Sequence, residues 1–305
     1  MGDWCYASYM SDNQSPAGVR TGAALRSARN SRTTLAAILL LVGLAAVLFR
    51  VPAVAAESIT GSGCSVSVTG YLTDLAKEYE RRTGIKVLVR AGGAAVGIDD
   101  LRTGSVDFAA SCRAREAGDP PDIQFVQVAW DALVIIVHPS NPVDSIRPQE
   151  VRDVYAHKIM NWSQLRGKDM PIKLFISRAK KGLSGVEACT RALILKGKEP
   201  TDGPGVLFLA STGIVEQMVE NTPEGFAVSG FTSAQRRSVK MLKVNRVPPT
   251  TKNIIEGRYP FRRPLFILLP KNPKPEVKKF LEFVLSAEGQ RFIRSRNVVA
   301  LHDVK

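Results

Sequence analysis

Short apolar segments alternate with amphipathic segments along the chain beyond residue 57. Leu72, Leu75, Ala76 and Tyr79 recur at helical spacing and predict a helix over residues 66–82. Short apolar runs bounded by turn residues predict strands. Further helices are predicted over residues 98–103, 148–155, 186–195, 213–220 and 275–294, and strands over residues 58–60, 85–89, 106–110, 125–128, 132–137, 172–176, 225–230 and 240–244.

The order of these elements predicts an α/β fold. Strands and helices alternate with short links, which indicates a parallel sheet with crossover helices. Two almost wholly apolar runs, at residues 132–137 and 264–270, are interpreted as the crossings between two lobes. We therefore expect lobe 1 to comprise residues 57–137 and 265–305, and lobe 2 to comprise residues 138–264.

Three turns of small residues each follow a predicted strand and precede a predicted helix. They are Thr60 to Ser65, Ala91 to Gly97, and Ser177 to Gly185. Such a turn directs free N–H groups and the positive end of a helix dipole at one point, which favours an anion. Ligands of parallel sheets bind at the carboxyl ends of the strands, where these turns and the segment 111–113 are expected. A tight turn of small residues without a ligand is the alternative interpretation.

The first 56 residues are typical of a secretory signal peptide. Four arginines between residues 20 and 32 precede the apolar run Leu35 to Phe49, and the small residues 54–56 suit cleavage before Glu57. The run is shorter than the ~18 apolar residues expected of a membrane span. We therefore expect a protein secreted to the periplasm through a cleaved signal peptide.

The chain carries a formal net charge of +14, and excess positive charge steers anions towards a protein. The lysines and arginines are scattered, and no zinc-finger or RRM-type pattern occurs, so a nucleic-acid partner is not expected. Gly-Lys-Ser/Thr phosphate loops, Gly-x-Ser-x-Gly elbows and His-Glu-x-x-His motifs are also missing. His138 and His157 have no partner at helical spacing. These observations favour a binding protein without enzymatic activity, metal or cofactor.

The sequence contains four cysteines. Cys5 lies in the predicted signal peptide, so Cys64, Cys112 and Cys189 remain, an odd number for an oxidising compartment. Cys64 and Cys112 each lie on a turn predicted to face the anion. Either they are small buried apolar residues, or they lie within disulfide reach of each other or form a thiol site at the ligand.

Taken in order, the motifs resemble the PstS-like, phosphate-binding branch of periplasmic solute-binding proteins. The resemblance covers residues 57–300 and depends on the order of several motifs rather than on any one of them. The matching stretches are Thr60 to Ser65, Gly92 to Gly97, Val106 to Ser111, Ala129 to Val134, Asn161-Trp162, Ser177-Arg178 with Ser184-Gly185, and Gly225 to Val228.

The resemblance implies a two-lobed, periplasmic-binding-protein-like (type II) clamshell with two interlobe crossings. It implies that a small oxyanion binds in the cleft and is delivered to an ABC permease, and we expect a monomer. Ser65 matches a hydroxyl donor, Arg178 matches the cleft arginine that can grip two oxygens, and Ser184 matches a donor at the second-lobe helix start. The expected ligand-binding set is Gly63, Cys64, Ser65, Gly93, Ala94, Ala95, Ser111, Cys112, Arg113, Arg178, Ser184, Gly185 and Val186.

This chain departs from the family's usual pattern at the expected site. Cys112 and Lys180 stand where the family usually has Asp, Ala94-Ala95 where it has Ser, and Val186 where it has Thr. A carboxylate accepts the proton of HPO4²⁻ and repels an anion that has none. Because this chain lacks that carboxylate, the identity of the ligand stays open. The alternatives are a sulfate-like anion, an organophosphate, a carboxylate or a differently bound phosphate. A periplasmic sensor or assembly protein that keeps the fold without transport is the alternative function.

Overall fold

The computed structural model describes residues 58–179 and 182–304; the predicted signal peptide (1–56) and Lys180-Lys181 lie outside the described residues. The strands are β1 Ser58–Gly63, β2 Lys86–Ala91, β3 Phe108–Ser111, β4 Gln124–Val137, β5 Ser145–Ile146, β6 Lys173–Ala179, β7 Gly182–Leu183, β8 Val206–Leu209, β9 Gly225–Gly230, β10 Lys240–Met241, β11 Lys243–Val244, β12 Arg262–Leu269 and β13 Val299–Ala300.

The first helical run, α1, consists of Ser65–Ser67, a π-helical turn Val68–Leu72 and Thr73–Thr83. The remaining α-helices are α2 Ala94–Arg102, α3 Pro148–Tyr155, α4 Gly185–Leu193, α5 Thr212–Glu220, α6 Phe231–Ala234, α7 Thr251–Ile255, α8 Pro275–Leu285 and α9 Ala287–Ser295. Two 3-10 turns, Trp162–Leu165 and Leu301–Asp303, complete the elements. The predicted helix 148–155 and the predicted strand 225–230 are confirmed at both ends.

One mixed sheet holds most of the strands, in the order β2-β1-β3-β12-β4-β9-β6-β7. The strands β1, β2 and β3 pair in parallel, as the alternation of strands and helices predicts. On the other side of β4, strand β6 pairs in parallel with β9 and with β8. We refer to the strands β1, β2, β3 and β12 with the helices α1 and α2 as the first half, and to the strands β6, β8 and β9 with the helices α3, α4 and α5 as the second half.

Strand β4 belongs to both halves. Its residues 124–132 pair with β12, whereas its residues 133–137 pair with β9. The prediction of two separate strands at 125–128 and 132–137 is therefore wrong, because the backbone pairing continues through Trp130 and Asp131. The predicted apolar run 132–137 is wholly buried, as expected for a strand covered on both faces.

The predicted C-terminal helix 275–294 is two helices, α8 and α9. Ser286 has an extended backbone, and its hydroxyl accepts a hydrogen bond from the N–H of Gly289, so it ends α8 and caps α9. The aromatic rings of Phe280 and Phe283 on α8 pack against Tyr79 of α1. None of the helices within 58–179 and 182–304 combines the length and the apolarity needed to cross a bilayer.

Candidate functional site

The first two predicted turns are shorter than expected, because residues 60–63 belong to β1 and residues 94–97 belong to α2. Only Cys64 and Gly92-Gly93 link strand to helix, at the carboxyl ends of the neighbouring strands β1 and β2. The carbonyl of Gly63 accepts hydrogen bonds from the N–H groups of Gly92 (2.9 Å) and Gly93 (2.8 Å). Gly63 and Gly93 have φ values of 130° and 95°, which favour glycine over any residue with a side chain. The starts of α1 and α2 are thereby held next to each other.

The segment that follows β3, residues 111–119, is held by hydrogen bonds between its own residues. The Ser111 hydroxyl donates to the carbonyl of Arg113 (2.8 Å) and accepts from its N–H (3.2 Å). The Arg113 guanidinium donates to both carboxylate oxygens of Asp119, at 2.7 and 2.8 Å, and to the carbonyl of Ala114. Burial favours the neutral acid, but this pairing outweighs it and holds the pKa of Asp119 below its ordinary value. The Arg113 side chain is thus occupied by Asp119 rather than turned towards the expected ligand.

In the second half, a chain of hydroxyl groups joins the starts of α4 and α5. The Ser184 hydroxyl caps α4 by accepting from the N–H of Glu187 (3.2 Å), and it lies 2.5 Å from the Ser177 hydroxyl. The Ser177 hydroxyl is in turn 3.3 Å from that of Thr212, the first residue of α5. Two helix N-termini and three hydroxyls therefore meet in one buried polar cluster, whose chemistry suits an anion.

A buried acid lies behind these hydroxyls. Glu187 is fully buried, and its carboxyl group accepts hydrogen bonds from the Tyr155 hydroxyl (3.2 Å) and the Ser177 N–H (3.4 Å). Burial raises its pKa to about 8, so the group is largely neutral at pH 7. The sequence does not single out this residue, because a Glu three positions after a Ser at a helix start indicates ordinary helix capping.

The two halves come together at Gly185. A Cβ atom on Gly185 would lie 2.8 Å from the Cys112 sulfur and 3.2 Å from the Ala94 Cβ. The Cys189 thiol of α4 donates to the carbonyl of Cys112 (3.3 Å), again joining the two halves. The start of α4 is therefore packed directly onto the turns of the first half.

Ser65, the first residue of α1, belongs to the same region of the first half. It is buried, and its hydroxyl has no hydrogen-bond partner among the described residues. Its neighbour Cys64 occupies the N-cap position of α1 without a side-chain capping hydrogen bond, and it donates its N–H to the carbonyl of Ala110 (2.8 Å). Of the predicted set, Ala94 and Cys112 lie against Gly185, and Ser184 directly precedes it. Gly63 is hydrogen-bonded to Gly93, and Cys64, Ser65 and Ser111 lie at the neighbouring ends of β1 and β3.

An ion pair between Asp131 of β4 and Arg263 of β12 lies beside this contact. Both side chains are almost completely buried, and Nε and Nη2 of Arg263 lie 3.0 and 2.8 Å from Oδ2 of Asp131. The other carboxylate oxygen accepts the N–H of Thr232 (2.9 Å), and Nη1 of Arg263 donates to the carbonyl of Gly185 (3.4 Å). Sequence reasoning missed this pair, although a charged residue at the edge of each apolar run was the available signal.

Arg178, the expected cleft arginine, lies elsewhere. It is exposed, its guanidinium stacks 4.1 Å from the centre of the Phe208 ring, and it donates to the carbonyl of Pro200 (3.3 Å). The arginine that the structure places at the contact of the two halves is instead Arg263.

Ala95 is half-buried and Val186 is buried in the first turns of α2 and α4. Within the described part of the chain, no three or more His, Cys, Asp or Glu side chains are grouped so that they could hold a metal ion.

Two half-sheets that share a crossing strand, with helix N-termini meeting between them, define a class of α/β binding proteins: the type II periplasmic-binding-protein-like fold. The family model of the PBP superfamily domain matches residues 50–288. The chain belongs to the PBP superfamily.

Several known proteins are similar to this chain over most of its length. Phosphate-binding protein PstS of Bacillus subtilis (strain 168) is 26% identical, over 82% of this chain and 83% of that protein. Protein SphX of Synechococcus elongatus is 27% identical, over 84% of this chain and 82% of that protein.

Solved structures show the same fold. A substrate-binding protein from Clostridium perfringens, solved with bound phosphate, has a TM-score of 0.73 and 23% identity, with 80% of this chain and 100% of that chain covered. An ABC-type phosphate transport receptor from Vibrio cholerae has a TM-score of 0.61 and 24% identity, with the same coverage.

Proposed function

We propose that this protein is a solute-binding protein that captures phosphate or a related small oxyanion between the two halves of its sheet. The observation that carries the proposal is the contact at Gly185, where the N-terminus of α4 meets Cys112 and Ala94 of the first half. The relatives named for phosphate binding support the same solute class. An anion held there is in contact with both halves, so its binding favours the closed arrangement.

The proposed ligand contacts are neutral groups. The N–H groups of Gly185 and Val186 lie in the first turn of α4, where a helix has no internal partners for them. The Ser184 hydroxyl lies beside them, and the buried Ser65 hydroxyl is available from the first half. Asp131 balances the charge of Arg263, so the attraction for an anion comes mainly from helix N-termini and hydroxyls.

The proposed site offers a bound anion few hydrogen-bond acceptors. Cys112 occupies the position at which the resembled family usually has Asp, and a thiol is only a weak acceptor. A ligand that must donate its own proton therefore gains little from that position. We propose that the site binds fully ionised oxyanions, such as sulfate, at least as readily as hydrogen phosphate.

We further propose the cellular setting that the sequence predicts. The protein is secreted after cleavage of residues 1–56 and acts as a monomeric, non-enzymatic receptor that delivers its ligand to an ABC permease. The two proposed lobes are residues 57–137 with 265–305 and residues 138–264. Because β4 changes partner from β12 to β9 after residue 132, we propose that the hinge lies there, a few residues before the end of the first segment.

A thermal-shift titration tests the proposal. At a ligand concentration of 100 Kd, binding adds about 2.7 kcal/mol of stability, or about 5–10 °C in Tm for a domain of this size. We expect such a shift with sulfate or inorganic phosphate, and a reduced shift in Ser65→Ala. Ser67→Ala is the matched control, because Ser67 is equally buried two residues further along α1. No shift with millimolar phosphate, sulfate, organophosphates or small carboxylates would overturn the receptor function.

A further inference from the structure

The proposed function leaves two features of the described residues without a role. One is the set of cysteines: all three are free thiols, and Cys64 and Cys112 are buried like small apolar side chains, one of the alternatives that the sequence left open. The other is a groove beside α3, which no residue of the predicted ligand set lines. Its volume of about 790 Å³ lies within the roughly 300–1,000 Å³ that is usual for small-molecule sites.

Three segments that are distant in the sequence line this groove: residues 142–147 with Glu150, residues 165–166, and residues 245–246. The side chains of Val143, Ile146 and Leu165 are buried beneath it. Exposed arginines stand at its rim, one on each of the three segments: Arg147, Arg166 and Arg246. The groove therefore combines an apolar floor with guanidinium groups that face solvent.

A buried carboxylate holds two of these arginines together. Oε1 of Glu150 lies 2.8 Å from Nη2 of Arg147 and 3.5 Å from Nη2 of Arg166. The Glu150 side chain is 6% exposed, whereas the two arginine side chains are 70% and 68% exposed. One negative charge thus offsets two positive charges, and most N–H donors of the two guanidiniums stay accessible to an anion from solvent.

The third rim arginine, Arg246, stands on a tight hairpin turn. Val244 and Val247 exchange backbone hydrogen bonds of 3.0 and 2.9 Å, and between them Asn245 and Arg246 have φ values of 52° and 69°. Both values are positive, as in a type I′ turn, where glycine is strongly favoured at the second position. The turn is fixed to the first segment, because the Arg246 N–H donates to the Ser145 hydroxyl (3.1 Å).

The groove carries uncompensated positive charge. Its other acid, Asp144, is paired with Lys243 (2.7 Å), so both acids of the groove are already matched by basic groups. Among the residues that the structure describes, none forms a hydrogen bond or ion pair with the Arg246 guanidinium. One positive charge is therefore left over from the two arginines that share Glu150, and a second from Arg246.

The surrounding sequence strengthens this charge. Residues 138–264 contain 21 Lys and Arg against 11 Asp and Glu, whereas residues 57–137 and 265–305 together contain 16 against 15. Nearly all the excess positive charge beyond residue 56 thus belongs to the part of the chain that forms the groove. A field of this sign concentrates multiply charged anions more strongly than single charges.

We propose that this groove is a second binding site, specific for an anion that carries several phosphate groups, such as a linear polyphosphate. One phosphate lies between Arg147 and Arg166, and another contacts Arg246 on a separate wall. A terminal phosphate offers three acceptor oxygens and up to two negative charges, more than a carboxylate, so it suits paired guanidiniums. This site is separate from the contact at Gly185 and does not depend on the proposed function.

Calorimetric titration of the purified protein with inorganic tripolyphosphate tests the site. Arg246→Gly is the decisive variant, because glycine suits the turn and the Tm should not fall. Its affinity for tripolyphosphate should be about threefold to fivefold lower than that of the wild type, as expected for the loss of one exposed charged contact. Arg166→Ala combined with Arg246→Gly should lower the affinity further.

Arg258→Ala is the matched control, because Arg258 is an exposed arginine of the same basic region that lies outside the groove. Its affinity for tripolyphosphate should stay close to that of the wild type. Two results would overturn the second site: a wild-type protein that does not bind tripolyphosphate, or groove variants that bind it as tightly as Arg258→Ala does.

A thermal-shift series with millimolar sulfate separates this result from the proposed function. Arg246→Gly should keep the wild-type shift, because Arg246 takes no part in the contact at Gly185. If tripolyphosphate does not bind while sulfate still raises the Tm, only the second site is wrong. If tripolyphosphate binding depends on the groove arginines while no small oxyanion raises the Tm, the second site stands and the receptor function is wrong.

Discussion

The two surfaces that meet at Gly185 are built from different chemistry. The first half presents backbone, small side chains and thiols: Cys64, Ala94 and Cys112. The second half presents a chain of hydroxyls over a buried carboxyl group, Glu187. The difference indicates that the second half supplies most of the polar recognition, whereas the first half supplies the shape against which it closes. Variants on each side should therefore fail in distinguishable ways.

The largest effect is expected at the ion pair that joins β4 to β12. Asp131→Ala leaves Arg263 buried with no carboxylate, and breaking one partner of a buried pair lowers the free energy of unfolding by about 3–5 kcal/mol. Chemical denaturation measures the loss. Asp144→Ala is the matched control, because Asp144 also pairs with one basic residue, Lys243, but on the exposed surface, where little change is expected. Equal losses in the two variants would contradict the assignment.

The buried acid of the second half should make stability depend on pH. Folded Glu187 keeps its proton up to about pH 8, whereas the unfolded chain releases it near 4.5. The folded state therefore binds more protons in this window, and the free energy of unfolding falls as pH rises through it, by at most about 1.4 kcal/mol per pH unit.

Glu187→Gln keeps the shape and removes the ionisation, so its stability relative to wild type should increase between pH 5 and pH 8. Denaturation at several pH values measures this difference. The pKa of Glu216 is also raised by burial, so Glu216 makes stability fall with rising pH in the wild type and in Glu187→Gln alike. The difference in stability between the two proteins therefore reports Glu187. A difference that stays constant with pH would show that Glu187 is ionised in the folded protein.

Packing between Gly185 and the first half should be sensitive to the addition of one methyl group. Gly185→Ala places a Cβ 2.8 Å from the Cys112 sulfur and 3.2 Å from Ala94, and overpacking of this kind lowers stability by about 1–3 kcal/mol. Gly213→Ala is the control, since Gly213 also lies in the first turn of a helix and the nearest atom to its Cβ would be 3.9 Å away. Calorimetric titration with phosphate or sulfate should show weaker binding only for Gly185→Ala. Equal affinities would place the ligand away from this contact.

Sequence reasoning predicted the parts of the fold that depend on local pattern. The parallel β1–β2–β3 unit and the glycine turns follow from apolar periodicity and from backbone conformations that glycine favours. It failed where pairing between distant segments decides the outcome. Trp130 and Asp131 interrupt the apolar pattern of β4, yet antiparallel pairing with β12 keeps the strand continuous.

The same reason explains what was found and missed at the site. Each turn could be identified by itself, because strand, small residues and helix follow one another in the sequence. Asp131 and Arg263 are 132 residues apart and meet only through the register of β4 and β12. The direction of Arg178 depends on Phe208, which lies in β8, a strand that the apolar pattern did not predict.

The smallest effect is expected at Arg178, where the sequence-based prediction and the structure differ most. Its guanidinium is exposed and stacks on Phe208, a contact that stabilises by about 0.5–1 kcal/mol. Arg178→Ala should therefore lower Tm slightly and change the affinity for phosphate or sulfate less than twofold. Arg152→Ala, which removes another guanidinium of the second half, controls for the loss of general positive charge. A tenfold loss of affinity in Arg178→Ala alone would mean that this side chain leaves Phe208 when the anion binds. In that case the family resemblance, rather than the contact with Phe208, identifies the arginine that contacts the ligand.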